Sequence, residues 1–187
     1  MRASIVGGFL FRLGIGSLPF LLPLLMQVGF GLSPFRSGLV TFASAVGAMG
    51  MKTLAARIIR TFGFRNMMTI NAVVSSVFLG ACALFTVTTP LLLIMIILVV
   101  GGFFRSLQFT AINTVAYAEI EPAQMSRATT LVSVNQQLAI SAGVAVGAFS
   151  VESTMLLRHV NELSADDFAP AFLVVSIISV VSAWFFR

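Results

Sequence analysis

Charged residues are scarce in this sequence. Only 9% of its 187 residues are Asp, Glu, Lys or Arg, whereas hydrophobic residues make up 58%, and the mean hydropathy is +1.05. A soluble domain carries about a quarter charged residues, because its surface must be hydrated. The chain lacks the polar groups that a water-facing surface requires. The composition therefore excludes an ordinary soluble domain and predicts an integral membrane protein.

Cysteine and histidine are equally scarce, with one residue of each. Cys82 lies within an apolar run and has no second cysteine with which to form an intrachain disulfide. His159 has no neighbouring ligands at the spacing of a metal site, so we interpret it as a solvated loop residue. We also find no Ser–His–Asp or phosphate-loop arrangement in the sequence. These absences argue against an enzyme and against a metal or cofactor site.

What the sequence does contain is a succession of apolar runs of membrane length. A helix needs about 20 apolar residues to cross a bilayer core of about 30 Å. Runs of this length argue against a β-barrel, whose strands alternate over about 10 residues. We therefore predict one all-α, six-helix membrane bundle over residues 1–187. Its spans are expected at 4–26, 38–56, 67–87, 91–116, 130–151 and 170–186, with a basic cytoplasmic loop at 57–66 and an outer polar loop at 152–169.

The basic residues are unevenly divided between the two sides of this bundle. Lys and Arg are retained on the cytoplasmic side of membrane spans, so the side that carries more of them is predicted to be cytoplasmic. We therefore expect both termini in the cytoplasm and the chain in the plasma (inner) membrane. The net charge of +5 then reflects topology rather than nucleic-acid binding. The inner set is Arg2, Lys52, Arg57, Arg60, Arg65, Arg127 and Arg187, and the outer set is Arg36 and Arg158.

Arg105 falls inside a predicted span and is the first candidate for a functional residue. It lies fourteen residues after Leu91, or about 21 Å into a helix. A buried Arg costs several kcal/mol unless it is paired or hydrated. We interpret Arg105 as a cavity-lining group that binds substrate or makes a gating contact, together with Gln108 on nearly the same face. The alternative is an Arg whose stem reaches the cytoplasmic headgroups.

Three further polar residues are candidates for the cavity wall. Arg12 is predicted about 12 Å from the cytoplasmic edge, in a helix that Pro19 and Pro23 are expected to bend. Headgroup contact and a place near a pathway remain equally open for it. Asn113 follows Arg105 by about two turns and is assigned to the inner mouth of the pathway. Asn135 either lines the cavity or bonds a neighbouring helix.

Glycines spaced four residues apart predict close helix contacts. Gly143 and Gly147 form such a pair in the fifth span, and we assign them to helix packing. In the second span, Gly47 and Gly50 are expected to allow another backbone to approach.

The basic stretch Met51–Arg65 resembles a known loop signature. Its Arg57, Arg60, Gly63 and Arg65 are similar to the second-half copy of the loop motif of the major facilitator superfamily. Gly63 suits a tight reversal between antiparallel helices. The segments KTLAARIIRTFGFR, GGFFRSLQFTAINT and SRATTLVSVNQQLAISAGVAVGA together resemble the C-terminal portion of a fourteen-span drug:proton antiporter of that superfamily.

The resemblance implies a carrier that works by alternating access. It implies proton-coupled efflux of drugs or other small molecules, with this chain as the C-terminal half and Arg57, Arg60, Gly63 and Arg65 at a cytoplasmic gate. The substrate would be a small molecule, possibly lipophilic. The expected partners are the lipid bilayer and either a missing N-terminal half or a second copy of the chain.

Acidic residues are absent from all six predicted spans. Proton-coupled carriers commonly use an intramembrane carboxylate as the proton site. We therefore expect the protons to be handled by the partner half, and we expect this chain alone not to perform proton-coupled transport. The alternative interpretation is a truncated or non-transporting six-span module that only packs against partner membrane proteins. A homodimeric six-span carrier is a third possibility.

Overall fold

The computed structural model describes residues 2–117, 120–121, 124–160 and 162–186. These residues form helices and no strand, which confirms the all-α prediction. Short π-helical or 3-10 turns extend several of the helices. Arg187, which we assigned to the cytoplasmic side, lies outside the described residues. The α-helices are α1 (Arg2–Gly16), α2 (Leu18–Leu24), α3 (Pro34–Phe62), α4 (Phe64–Ala81), α5 (Leu91–Tyr117), α6 (Met125–Arg158) and α7 (Phe168–Ser182).

Six helical segments of the described chain are long and apolar enough to cross a membrane, as predicted. The first span combines α1, α2 and a π-helical turn at Leu25–Gly29. Pro19 and Pro23 lie in this irregular part, where each lacks the N–H of a regular helical hydrogen bond. The spans are Val6–Gly29, Pro34–Phe62, Phe64–Leu84, Leu91–Tyr117, Met125–Arg158 and Ala165–Phe186.

The basic segment 57–66 is helical rather than a loop, which corrects the expected boundary. Helix α3 continues through Arg57 and Arg60 to Phe62, and α4 begins at Phe64. Arginine is a good helix former, and no breaker precedes Gly63, so the helix has no reason to end earlier. Gly63 alone makes the turn, with a φ of 75° that favours glycine. At 29 residues, α3 is about 43 Å long and exceeds the thickness of a bilayer core.

The outer polar segment 152–169 is also more ordered than expected. Helix α6 continues to Arg158, and His159 ends it in the left-handed conformation. The Arg158 guanidinium donates to Asp167 Oδ1 at 2.8 Å, and Asp167 Oδ2 accepts hydrogen bonds from the Ser164 N–H and hydroxyl. Asp167 is fully buried, although it lies in the segment that we expected to be an outer polar loop. This ion pair ties the end of α6 to the start of α7.

The helices pack side by side in a continuous series that runs from α3 to α6. Helix α3 packs most extensively on α5, and α5 packs on α4. Helix α4 packs on α7, α7 on α1, and α1 on α6. Contacts between α1 and α5 are few, and residues of both helices line a space between them. That space is the candidate functional site.

Candidate functional site

A cavity of about 450 Å³ lies between the first span, α3 and α5. Its volume falls within the range of about 300–1,000 Å³ that small-molecule pockets occupy. Most of its wall is apolar, and Arg105 is the one charged side chain among the described residues that line it. The lining residues are Ile15, Gly16, Leu18, Pro19, Leu22, Pro23, Thr41, Ser44, Leu98, Arg105, Phe109 and Ile140.

The position of Arg105 is set by a close crossing of α3 and α5. A Cβ atom on Gly47 would collide with the carbonyl oxygen of Val99, and one on Gly102 would collide with the carbonyl oxygen of Ser44. Only glycine allows two backbones to approach this closely. Gly102 lies one turn before Arg105, so the crossing brings α3 directly beside the arginine.

At this crossing, Arg105 forms a hydrogen bond with a serine of α3. Its Nη2 donates to the Ser44 hydroxyl at 3.1 Å. At the next residue of α5, the Ser106 hydroxyl donates to the carbonyl of Ala48, one turn along α3 from Ser44, at 3.0 Å. The arginine is half-buried and remains part of the cavity wall. The structure thus places Arg105 at the cavity, where the sequence analysis expected it.

Arg12 is enclosed more tightly on the far side of Phe109. Its side chain is only 2% exposed, and its Nη2 donates to Asn113 Oδ1 at 2.6 Å. The guanidinium carbon lies 5.7 Å from the centre of the Phe109 ring, in cation–π range. Its buried Nε has no hydrogen-bond partner among the described residues. Two predicted site residues, Arg12 and Asn113, are therefore in contact and link α1 to α5.

Gln108 does not line the cavity, which corrects its predicted place. It is fully buried. Its Nε2 donates to the Met68 carbonyl at 3.0 Å, and its Oε1 accepts from Asn71 Nδ2 at 2.8 Å. Residues three apart on a helix differ by about 60° in direction. That offset turns Gln108 toward α4, where Asn71 provides the polar partner that a buried amide needs.

The remaining predicted residues lie away from the described cavity wall. Asn135 is half-buried on α6, and its place in a pathway stays a prediction. The three arginines assigned to a gate are exposed at the ends of α3 and α4, and Gly63 is exposed between them. The gate likewise stays a prediction. The three arginines are Arg57, Arg60 and Arg65.

Gly143 and Gly147 both lie against the first span. A Cβ atom on Gly143 would collide with the Leu13 carbonyl oxygen, and one on Gly147 would come within 3.2 Å of Ser17 Cβ. In contrast, a Cβ atom on Gly50 would meet nothing within 4 Å. Close packing therefore uses Gly47 of the second span and not Gly50.

The sequence analysis missed Ser44, Asn71, Gly102 and Phe109. Part of the signal was present, because Ser44 precedes Gly47 by three residues just as Gly102 precedes Arg105 by three. Two small-residue faces of this kind favour a crossing that places the serine beside the arginine. Nothing comparable in the sequence indicates that Phe109 both lines the cavity and contacts the Arg12 guanidinium.

These features define a polytopic helical membrane protein with a cavity in which Arg105 is the charged side chain among the described lining residues. A comparison with models of protein families defines the class of this protein more narrowly. A family model described as Major Facilitator Superfamily matches residues 4–187. The chain belongs to this superfamily, which confirms the resemblance read from the sequence.

Several similar proteins are described as "Putative multidrug resistance protein MdtD". The chain is 33% identical to that of Serratia proteamaculans (strain 568) over 153 residues, which is 82% of this chain and 31% of the relative. It is 31% identical to that of Pectobacterium carotovorum (strain PC1) over 143 residues, or 76% of this chain and 31% of the relative. It is 32% identical to that of Escherichia coli O6:H1 over 147 residues, which is 76% of this chain and 30% of the relative. The chain thus matches about a third of the length of these curated relatives.

Proposed function

We propose that this chain is the C-terminal half of a carrier that exports small molecules across the plasma (inner) membrane. The observation that carries the proposal is the cavity between the first span, α3 and α5, with Arg105 in its wall. Membership of the superfamily and the names of the relatives support export as the direction of transport. No step of bond chemistry is required of the residues that line the cavity.

Alternating access is the mechanism that best fits this arrangement. In carriers built from repeated halves, two bundles rock about a site near the middle of the membrane. The cavity of this chain would be completed by the other half, which is either the missing N-terminal portion or a second copy. Both termini of the chain would face the cytoplasm. The exposed arginines at the ends of α3 and α4 would then meet the partner half at the cytoplasmic gate.

Proton coupling would depend on the partner half. The six predicted spans of this chain contain no Asp or Glu, and in the structure Glu152, Asp166 and Asp167 lie toward the ends of the fifth and sixth helical segments. A transmembrane proton site commonly requires such a carboxylate. We therefore propose that the partner half carries the proton site and that this chain contributes the substrate-facing arginine.

The size of the native product distinguishes the possible partners. An antibody against residues 159–167 would be used on denatured membranes of the source cell. We expect a band more than twice the 19.9 kDa of this chain, because the partner half would be part of the same polypeptide. A band near 19.9 kDa would instead require a second copy or a separate subunit as the partner.

Transport itself is tested by substitution of Arg105. Cells that express the full-length gene product would be loaded with a fluorescent drug, and its efflux would be compared between wild type and Arg105→Ala at equal membrane abundance. We expect efflux by the wild type and a loss of at least tenfold in the variant. Arg36→Ala is the matched control, because Arg36 is exposed at the start of α3. If wild-type cells retain the drug as untransfected cells do, the non-transporting alternative gains support.

A further inference from the structure

Arg105 brings a positive charge to the cavity that its own neighbours do not neutralise. A guanidinium carries five N–H donors, and the hydrogen bond at Nη2 goes to the uncharged Ser44 hydroxyl. Within the described ranges, the ion pair that forms is Arg158–Asp167, which belongs to the connection between α6 and α7. Arg105 therefore has donors and charge available for a ligand.

The wider charge distribution of the bundle has the same sign. Arg12 and Arg105 lie inside the bundle, whereas the acidic residues that the structure describes lie in the last two turns of α6, just before α7 or in the connections between helices. Charges in a low-dielectric cleft focus their field into it, so the cavity favours an anion and repels a cation. The six acidic residues are Glu119, Glu121, Glu152, Glu162, Asp166 and Asp167.

The aromatic residue of the cavity wall does not compensate for this repulsion. Lipophilic cations are commonly bound over an aromatic face. Among the described lining residues, Phe109 is the aromatic one, and its ring already faces the Arg12 guanidinium at 5.7 Å. A bound cation would therefore find a phenyl ring that is already engaged by a positive charge. The 18 Phe residues of the chain do not make this cavity an aromatic cage.

We infer that the cavity binds amphipathic organic anions. The carboxylate, sulfonate or similar acid group of such a molecule accepts hydrogen bonds from Arg105. Its apolar ring or chain packs against Leu18, Leu22 and Ile140 in the remainder of the wall. The inference rests on the proposed function, because it names the chemical class of the molecule that the carrier moves.

A carboxylate of the partner half would offer Arg105 the same chemistry. In that case the arginine would hold the two halves together and would not select the substrate. A carboxylate of the partner half and an acid group of the substrate can be distinguished, because the loss of Arg105 would affect the transport of oppositely charged substrates differently in the two cases. A structural ion pair serves all substrates equally, whereas a substrate-binding arginine serves anions alone.

The test therefore uses two probes with the same ring and opposite permanent charges. Uptake of 1-naphthalenesulfonate and of 1-naphthyltrimethylammonium would be measured in inside-out vesicles that contain the full-length gene product. Arg105→Gln removes the charge, Arg105→Lys retains it, and Arg36→Gln removes an exposed charge of the same helix bundle. The amount of each variant in the vesicles would be matched by immunoblot.

We expect saturable uptake of the sulfonate by the wild type and by Arg36→Gln. Arg105→Gln should reduce it by about tenfold to a hundredfold, as expected for the loss of a hydrogen bond to a charged group. Arg105→Lys should restore part of the uptake. Uptake of the ammonium probe should be weaker than that of the sulfonate, and Arg105→Gln should not lower it.

Three results would overturn the inference. Uptake of the ammonium probe alone would leave transport intact and reverse the charge preference. An equal loss of both probes in Arg105→Gln would identify Arg105 as the partner of a carboxylate in the other half. An absence of uptake for both probes, in vesicles that also fail to take up the drug of the efflux assay, would remove the transport function itself.

Discussion

Two arginines lie inside this bundle, and their surroundings differ in almost every respect. Arg12 is 2% exposed, bonds the Asn113 amide and lies over Phe109. Arg105 is half-buried, bonds one hydroxyl and forms part of a cavity wall. Both arginines join two helices, but only the second also borders a cavity, where we propose that it meets a ligand. The role of an arginine in an apolar span therefore depends on the groups that the neighbouring helices place around it.

The largest loss of stability is expected from a substitution at the helix crossing beside Arg105. Gly102→Ala would place a Cβ atom against the Ser44 carbonyl and push α3 away from α5. Overpacking of this kind costs about 1–3 kcal/mol, and it would also separate Arg105 from Ser44. Thermal unfolding of the protein in detergent, followed by size-exclusion chromatography, measures the loss.

Gly50→Ala is the matched control for this substitution. Its Cβ atom would meet nothing within 4 Å, and alanine is favoured over glycine in a helix by about 1 kcal/mol. Gly50→Ala should therefore leave stability unchanged or raise it. Equal destabilisation by both variants would contradict the crossing described here.

The second-largest loss of stability is expected from removal of the contact between Arg12 and Asn113. Asn113→Ala would leave the buried guanidinium without its hydrogen-bond acceptor, at a cost of about 1–3 kcal/mol. Thr114→Ala, at the next position of α5, should cost less because Thr114 is exposed. Thermal unfolding of the two variants provides the comparison. If they lose the same stability, Arg12 does not depend on Asn113.

The amide pair between α4 and α5 has a smaller expected effect. Buried side-chain hydrogen bonds in membrane proteins contribute about 0.6 kcal/mol on average and up to about 1.7 kcal/mol. A double-mutant cycle of Asn71→Ala and Gln108→Ala should show a coupling energy in this range, measured by unfolding in detergent. Transport by Gln108→Ala should be retained, because Gln108 faces α4. A strong loss of transport at normal membrane abundance would indicate that Gln108 does contribute to the cavity.

Ser44→Ala should have the smallest effect on stability. Arg105 can replace the lost hydroxyl with water from the cavity, so a loss below about 0.5 kcal/mol is expected, at the low end for one hydrogen bond. The measurement is the same unfolding assay. A cost as large as that of Asn113→Ala would mean that Arg105 is as enclosed as Arg12 and would erase the contrast between the two sites.

Sequence reasoning reached the class of fold, but it did not reach the partners of the buried polar groups. Length and hydropathy are properties of single helices, so the six spans could be predicted. The depth of Arg105 follows from the helical rise for the same reason. Gln108 was placed wrongly because its direction is decided by Asn71 of another helix. Likewise, nothing within α3 distinguishes Gly47, which touches α5, from Gly50, which does not.

The single-residue turn at Gly63 has a mechanical consequence. Helices joined by a long loop can slide past each other while the loop absorbs the displacement. Here α3 ends at Phe62 and α4 begins at Phe64, so there is no slack between them. Any axial shift of α3 must be passed to α4 or must unwind a helix end. An axial shift of α3 at the cavity wall is therefore expected to displace α4 as well.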